Sequence, residues 1–310
     1  MISMAGPRPP VSERRTMNVT GAIRDRRFGP PRAAWFPIDR PGRGRERRSA
    51  ELHGQRINFE VDSLGRPPDA DSTGAWRLTE RFGLVWARPI ETEPDLPSLP
   101  PRPSSTLRCI AYSEVGARAD YDQAVLGLVD PAHVPMIHQS WWRRSDRRRV
   151  KTKLYSPSPF GFTARAADAF SSTAVYDLVR EERTVTIEFR LPSIRLERVT
   201  ARGFELINLT TVTPVREGAV VLRNLILCSD PRAGLLRPVL SAAGRAFLRQ
   251  DVAVLERLDG RGPHLPLVFV GDPDRPSAFY FAAKAGLARA ERDGVAFENP
   301  VEPQTLKWRT

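Results

Sequence analysis

The chain has 310 residues, 41% hydrophobic and 27% charged, long enough for one large domain or two ordinary ones and apolar enough to bury a core. No run approaches the roughly 18 apolar residues of a membrane helix, no apolar stretch of a secretory signal opens the chain, and Cys109 and Cys228 lie too far apart in sequence for a disulfide framework or a Cys-based metal motif. Residues 1–50 hold twelve Arg, no Lys and four acids, supplying +8 of the formal +12. Those arginines are mixed with Pro and Gly and lack an aromatic stacking platform, so nucleic-acid binding is not expected, and a cytoplasmic protein without a membrane span is.

Residues 1–34 show neither helical nor strand period and are expected to be disordered. After the apolar knot Ala34–Ile38, Arg40–Arg48 reads as a solvated basic run. Arg56–Val61 alternates like a strand, Gly65-Arg66-Pro67-Pro68 reads as a turn, and Arg81–Ala87 reads as a second strand. Residues 91–106 are Pro/Ser-rich, the composition of a linker. The expected organisation is therefore a basic segment at 1–49, a small β-rich unit at 50–90, a linker at 91–106 and a larger domain at 107–310.

In the larger part, Tyr121–Val129 has the texture of a helix. Five strands are expected at 172–178, 183–191, 193–199, 203–213 and 219–228. In the second, Val185, Ile187, Phe189 and Leu191 alternate with Thr184, Thr186, Glu188 and Arg190, the mark of a sheet with one face buried. Short turns such as Glu217-Gly218 favour antiparallel neighbours. Helices follow at about 236–258, with Leu240, Ala243, Phe247, Val254 and Leu258 as its apolar stripe, and at about 277–292. Strands then helices, without alternation, make the fold α+β.

Asp130-Pro-Ala-His133-Val-Pro-Met-Ile-His138 holds two of only four histidines. Two imidazoles from one short segment, with one carboxylate from elsewhere, build one face of an octahedron and leave the other open, the 2-His-1-carboxylate arrangement of non-haem iron oxygenases. The bland alternative is two half-buried histidines in a Pro-containing turn. Asp251 and Glu256, both on the long helix, compete as the carboxylate. Trp141-Trp142 with the arginines after it reads as a pocket lid or interface, and His264 as a loop histidine.

The 130–138 element, the sheet after it and Gln250-Asp251-Val-Ala-Val-Leu-Glu256 together resemble the catalytic domain of Rieske-type non-haem iron ring-hydroxylating oxygenase alpha subunits. The likeness is nearer to the branch with pheophorbide a oxygenase and vanillate demethylase. Glu80–Pro89 is similar to the end of that family's Rieske domain, and Phe297–Pro300 and Leu306–Arg309 resemble its closing segments. The likeness covers about 50–310. It implies a helix-grip catalytic domain, an antiparallel sheet on a long C-terminal helix, after a remnant Rieske-like domain. It makes His133, His138 and Asp251 ligands of mononuclear Fe(II), and Asp130 the acid linking an iron-ligand histidine to the cluster of a neighbouring subunit in a trimer. It further implies dioxygen, an aromatic or other hydrophobic substrate to be hydroxylated or demethylated, and electrons from a ferredoxin or flavin reductase through a [2Fe–2S] cluster.

The sequence departs from that family where the cluster is held. A Rieske cluster takes two Cys and two His, from C-x-H and C-x-x-H-G. Only Leu52-His53-Gly54 remains of the second element, Ala50 stands in the cysteine's place, and no cysteine precedes Cys109. His53 is thus at most a remnant cluster ligand. Leu126-Gly127 replace a Glu-Asn pair frequent in the family. Two accounts of the missing ligands stand side by side: residues 1–50 as GC-rich DNA read out of frame, or a chain that lost its cluster. The second includes a non-catalytic helix-grip ligand-binding protein.

Overall fold

The structure is a computed structural model that describes residues 29–42, 44–90, 97–133, 137, 150–166, 183–258 and 269–309. The expected strand at 172–178, the Trp141-Trp142 stretch, His264 and His138 lie outside the described residues. Among those residues no helix is long and apolar enough to cross a membrane.

The N-terminal part forms two small antiparallel sheets. Strands β1 (Phe36–Asp39), β4 (Trp76–Arg81) and β5 (Leu84–Pro89) make one, in the order β1-β5-β4, and β2 (Glu46–Leu52) with β3 (Gln55–Val61) makes the other. Arg81–Ala87, expected as one strand, is instead a hairpin. Phe82 and Gly83 both take positive φ, 60° and 74°, and this two-residue turn reverses the chain between β4 and β5. Its apolar residues misled because Phe82 is buried although it sits in the turn. The basic run Arg40–Arg48 is exposed at Arg45 and Arg47, as expected, and its end is the start of β2, with Arg48 paired to Asp39 of β1.

The larger part is an eight-stranded antiparallel sheet. Its strands are β6 (Arg108–Arg118), β7 (Val150–Ser158), β8 (Gly161–Ala166), β9 (Thr184–Arg190), β10 (Ile194–Ala201), β11 (Phe204–Arg216), β12 (Ala219–Cys228) and β13 (Gln304–Arg309). The order β13-β7-β8-β9-β10-β11-β12-β6 brings the last strand of the chain against β7. Helices α1 (Tyr121–Val129), α2 (Arg237–Leu258) and α3 (Arg275–Asp293) complete the α+β fold. The expected strands at 183–191, 193–199, 203–213 and 219–228 are β9 to β12, and α1 and β12 have the bounds read from the sequence. Asp120 sets the start of α1, its carboxylate accepting the N–H groups of Asp122 and Gln123.

Both faces of the sheet are covered. Phe162 of β8 and Phe189 of β9 stack at 5.4 Å, and Phe279 and Tyr280 of α3 meet them edge-on at 5.6 Å. Burying each such ring contributes about 1.5–3 kcal/mol. Opposite, Trp35 and Trp86 of the small part pack with Ile194, Ile207, Leu209 and Leu225. Arg223 of β12, 6% exposed, fastens the parts together by donating to the carbonyls of Pro37 and Ile38 at 2.7 and 3.0 Å. Phe297 stacks on Phe160 at 5.5 Å, and Asn299 donates to the carbonyls of Ser158 and Gly161 across the β7–β8 turn. The closing segment is thereby given a packing role.

The face that α2 buries is not the one expected. Leu248, Val252 and Leu255 are its buried residues, while Ala243 and Leu258 of the expected stripe are exposed. The first half of α2 lies against β6 through small residues. Ser113 donates to the Ser241 carbonyl, and a Cβ at Gly244 would come within 2.6 Å of the Ser113 hydroxyl oxygen. That close approach fixes the rotation of the helix, and apolar burial begins only in its second half.

Candidate metal centre

Helix α1 ends at Asp130, whose N–H bonds back to the Leu126 carbonyl. Asp130 then organises the next turn twice. Its carboxylate accepts the Ala132 N–H at 2.7 Å, and its backbone carbonyl lies 2.6 Å from Nδ1 of His133. A carbonyl can only accept, so Nδ1 carries the proton and Nε2 presents its lone pair. That contact holds the His133 ring at the end of α1.

Asp251 reaches the same place from the second half of α2, between the buried Leu248 and Leu255. Its Oδ1 stands 3.9 Å from His133 Nε2, with the two side chains 17% and 14% exposed. That spacing is too long for a direct hydrogen bond. Two ligand bonds of about 2.1 Å to a shared divalent ion span roughly 3.0 Å when cis and 4.2 Å when trans, so the pair is within reach of one ion and stands wider than the cis spacing of a facial triad. An imidazole lone pair and a carboxylate, nearly buried and converging at this distance, fit a borderline divalent metal. Among the described residues no three His, Cys, Asp or Glu side chains come together as a metal site. The third expected ligand, His138, lies outside them. Glu256, the competing carboxylate, is exposed and is not part of this site.

The pair opens into a cavity of about 310 Å³ bounded by α1, α2 and the start of α3. Leu126, Leu222, Val254 and Phe269 give it an apolar wall. Leu126-Gly127, the departure from the family noted above, form part of that wall. Two residues that sequence reasoning missed also line it, Gln123 and Ser277. Gln123 was within reach of periodicity, since it lies seven residues before Asp130 on α1, two turns along the same face. For Ser277 the sequence held no signal.

The expected remnant ligand His53 stands elsewhere. It occupies a two-residue turn between β2 and β3 with φ of 53° and is followed by Gly54 at 78°. The N–H groups of both residues donate to β11, at the carbonyls of Pro214 and Val215. The ring lies edge-on to Phe36 at 5.4 Å, and its enclosed Nε2 has no hydrogen-bond partner. Burial, helped by Arg32, lowers its pKa from 6.5 to about 4. A cavity of about 710 Å³ beside it is lined by no cysteine among the described residues. Ala50 sits in β2 opposite Ile57. Cys109 and Cys228 belong to β6 and β12 of the large sheet. One imidazole without thiolates does not fit a [2Fe–2S] cluster.

His53 instead makes the fold acid-sensitive. Its folded-state pKa lies below the unfolded value, so its contribution is intact above pH 6.5 and is lost as pH falls toward about 4. His53→Asn, whose side chain tolerates positive φ, is expected to flatten that loss. Urea midpoints measured across the window decide the point, and equal slopes in the two proteins refute it.

No family model matches the chain, and no curated protein does. Solved structures share its fold. Dicamba monooxygenase bound to dicamba is 12% identical with a TM-score of 0.60, over 85% of this chain and 98% of that one. Dicamba monooxygenase with non-heme iron and dicamba is 13% identical with a TM-score of 0.59, over 85% and 99%. NdmA of Pseudomonas putida CBB5 with caffeine is 12% identical with a TM-score of 0.59, over 88% and 96%.

Proposed function

We propose that this chain is an oxygenase component of the Rieske-type non-haem iron class that hydroxylates or demethylates an aromatic or other hydrophobic substrate. The observation that carries the proposal is the convergence of His133 Nε2 and Asp251 Oδ1 at 3.9 Å on the wall of an apolar cavity. Oxygenases of the same fold, one of them solved with non-heme iron, support it. His133 and Asp251 would hold the metal, with His138 as third ligand. Bound iron(II) supplies activation of dioxygen at coordination positions that three protein ligands leave open.

The chain's own residues contribute orientation and an apolar surface. Asp130 is a positioning residue, because its carbonyl fixes the proton on Nδ1 and raises the basicity of the ligating nitrogen. Leu126, Leu222 and Val254 would give the substrate an apolar surface beside the reacting atoms. His53 and its surroundings do not supply a cluster, so we assign the electrons to a separate reduced iron–sulfur or flavin protein.

The test is iron and acid-labile sulfide analysis of purified protein, followed by exposure of the ferrous form to nitric oxide. Near-stoichiometric iron, no sulfide and a high-spin ferrous–nitrosyl signal are expected. Protein that takes up no iron under reducing, anaerobic conditions is instead a helix-grip ligand-binding protein.

A further inference from the structure

We propose that the cavity beside His133 and Asp251 takes a neutral or cationic aromatic of one or two rings bearing an amide, carbonyl or N–H group, and that Gln123 and Ser277 hold that group. The proposal rests on the oxygenase reading only for the location of the reacting atom.

Size comes first. A volume of about 310 Å³ lies at the small end of ligand cavities, which run from roughly 300 to 1,000 Å³. That volume matches one or two rings. Polarity comes next. Ser277, on the first turn of α3, is 7% exposed and lines the cavity, yet no described residue hydrogen-bonds to its hydroxyl. The Gln123 side-chain amide, entering from α1, is likewise without a partner among the described residues. A hydroxyl on this wall with no partner among the described residues can bond a ligand group placed beside it. Together the two side chains offer a donor and an acceptor from different helices, which matches a carboxamide, lactam or ring N–H.

Charge decides between neutral and anionic ligands. Asp130, Asp251 and Asp274 all line this cavity, and no described Lys or Arg does. Asp274 is held in place by the N–H groups of Val270 and Gly271, which fixes its charge without cancelling it. A divalent ion would offset two of these three carboxylates, leaving one in excess among the described lining residues. An aromatic carboxylate therefore meets repulsion there.

Benzamide and benzoate have nearly the same shape and differ in charge, so they separate these effects. Each is titrated into the full chain, iron-loaded and after chelation of the metal, with binding followed by calorimetry. Benzamide is expected to bind at least tenfold more tightly than benzoate, with the preference widening after chelation. Ser277→Ala and Gln123→Leu should each weaken benzamide about tenfold, the loss of one buried hydrogen bond, with iron content unchanged. Benzamide that fails to outbind benzoate, or wild-type affinity for it in both variants, overturns the proposal. Selectivity without iron uptake would overturn only the oxygenase reading, and iron uptake without selectivity only this one.

Discussion

Replacing His133 or Asp251 with alanine is expected to abolish iron binding while the fold survives. Each would supply one of the two candidate ligand atoms that stand 3.9 Å apart, and a site left with one of them would forfeit most of its affinity, since metal binding depends on ligands held together by the fold. Neither residue belongs to the apolar core, so truncation leaves no large cavity. Glu256→Ala should retain iron, because that carboxylate is exposed. Asp130→Asn should retain it as well: the bond to His133 Nδ1 comes from the Asp130 backbone carbonyl, which asparagine keeps. Metal analysis beside far-UV circular dichroism checks all four variants. Full iron in both alanine variants, or its loss from Glu256→Ala, would remove these residues from the site.

The largest expected effect on stability lies on the other side of α1. Lys284 of α3 is 3% exposed and forms an ion pair with Asp122, which also accepts the Tyr280 hydroxyl at 2.5 Å. Burial raises the Asp122 pKa and lowers that of Lys284, each toward its neutral form, and their mutual attraction opposes the shift. Lys284→Met leaves Asp122 buried with only a hydroxyl for company. Removing one partner of such a pair costs roughly 3–5 kcal/mol. Pairing it with Asp122→Leu should restore most of the loss, because the double variant leaves no uncompensated charge.

The pH dependence follows from the sign of the shift. Asp122 has a raised folded-state pKa, so the folded protein favours its protonated form. The defect of Lys284→Met should therefore be greatest at neutral pH and shrink in acid. Urea unfolding at both pH values measures it. A single variant within about 1 kcal/mol of wild type, the range of ordinary surface substitutions, would mean that the pair does not hold α1 against α3. Since α1 carries Gln123 and ends at Asp130, loss of this anchor should also loosen the candidate site.

Some elements declared themselves locally. The pattern over 121–129 marked α1, and the alternation in 184–191 marked β9. Strands β7 and β13 did not. Val150–Ser158 is rich in Lys, Ser and Pro, and only Tyr155 in it is buried. It is a strand because β8 and the distant β13 satisfy its backbone from both sides. The hairpin at Phe82-Gly83 was hidden for the opposite reason: apolar residues on both sides of the turn ran together as one pattern.

For the site the division is similar. The sequence by itself determined the candidate residue types, the spacing of the histidines, the absence of cysteine near His53 and the α+β order of elements, because these depend on composition and near neighbours. Only the tertiary structure placed Asp251, and not Glu256, beside His133. Both sit on an amphipathic helix, and which side faces inward depends on how α2 meets β6 through Ser241 and Gly244. The rotation fixed there turns Asp251 toward His133 and Glu256 to solvent. It is set by a backbone approach between segments far apart in the chain, a contact that helical periodicity alone does not encode.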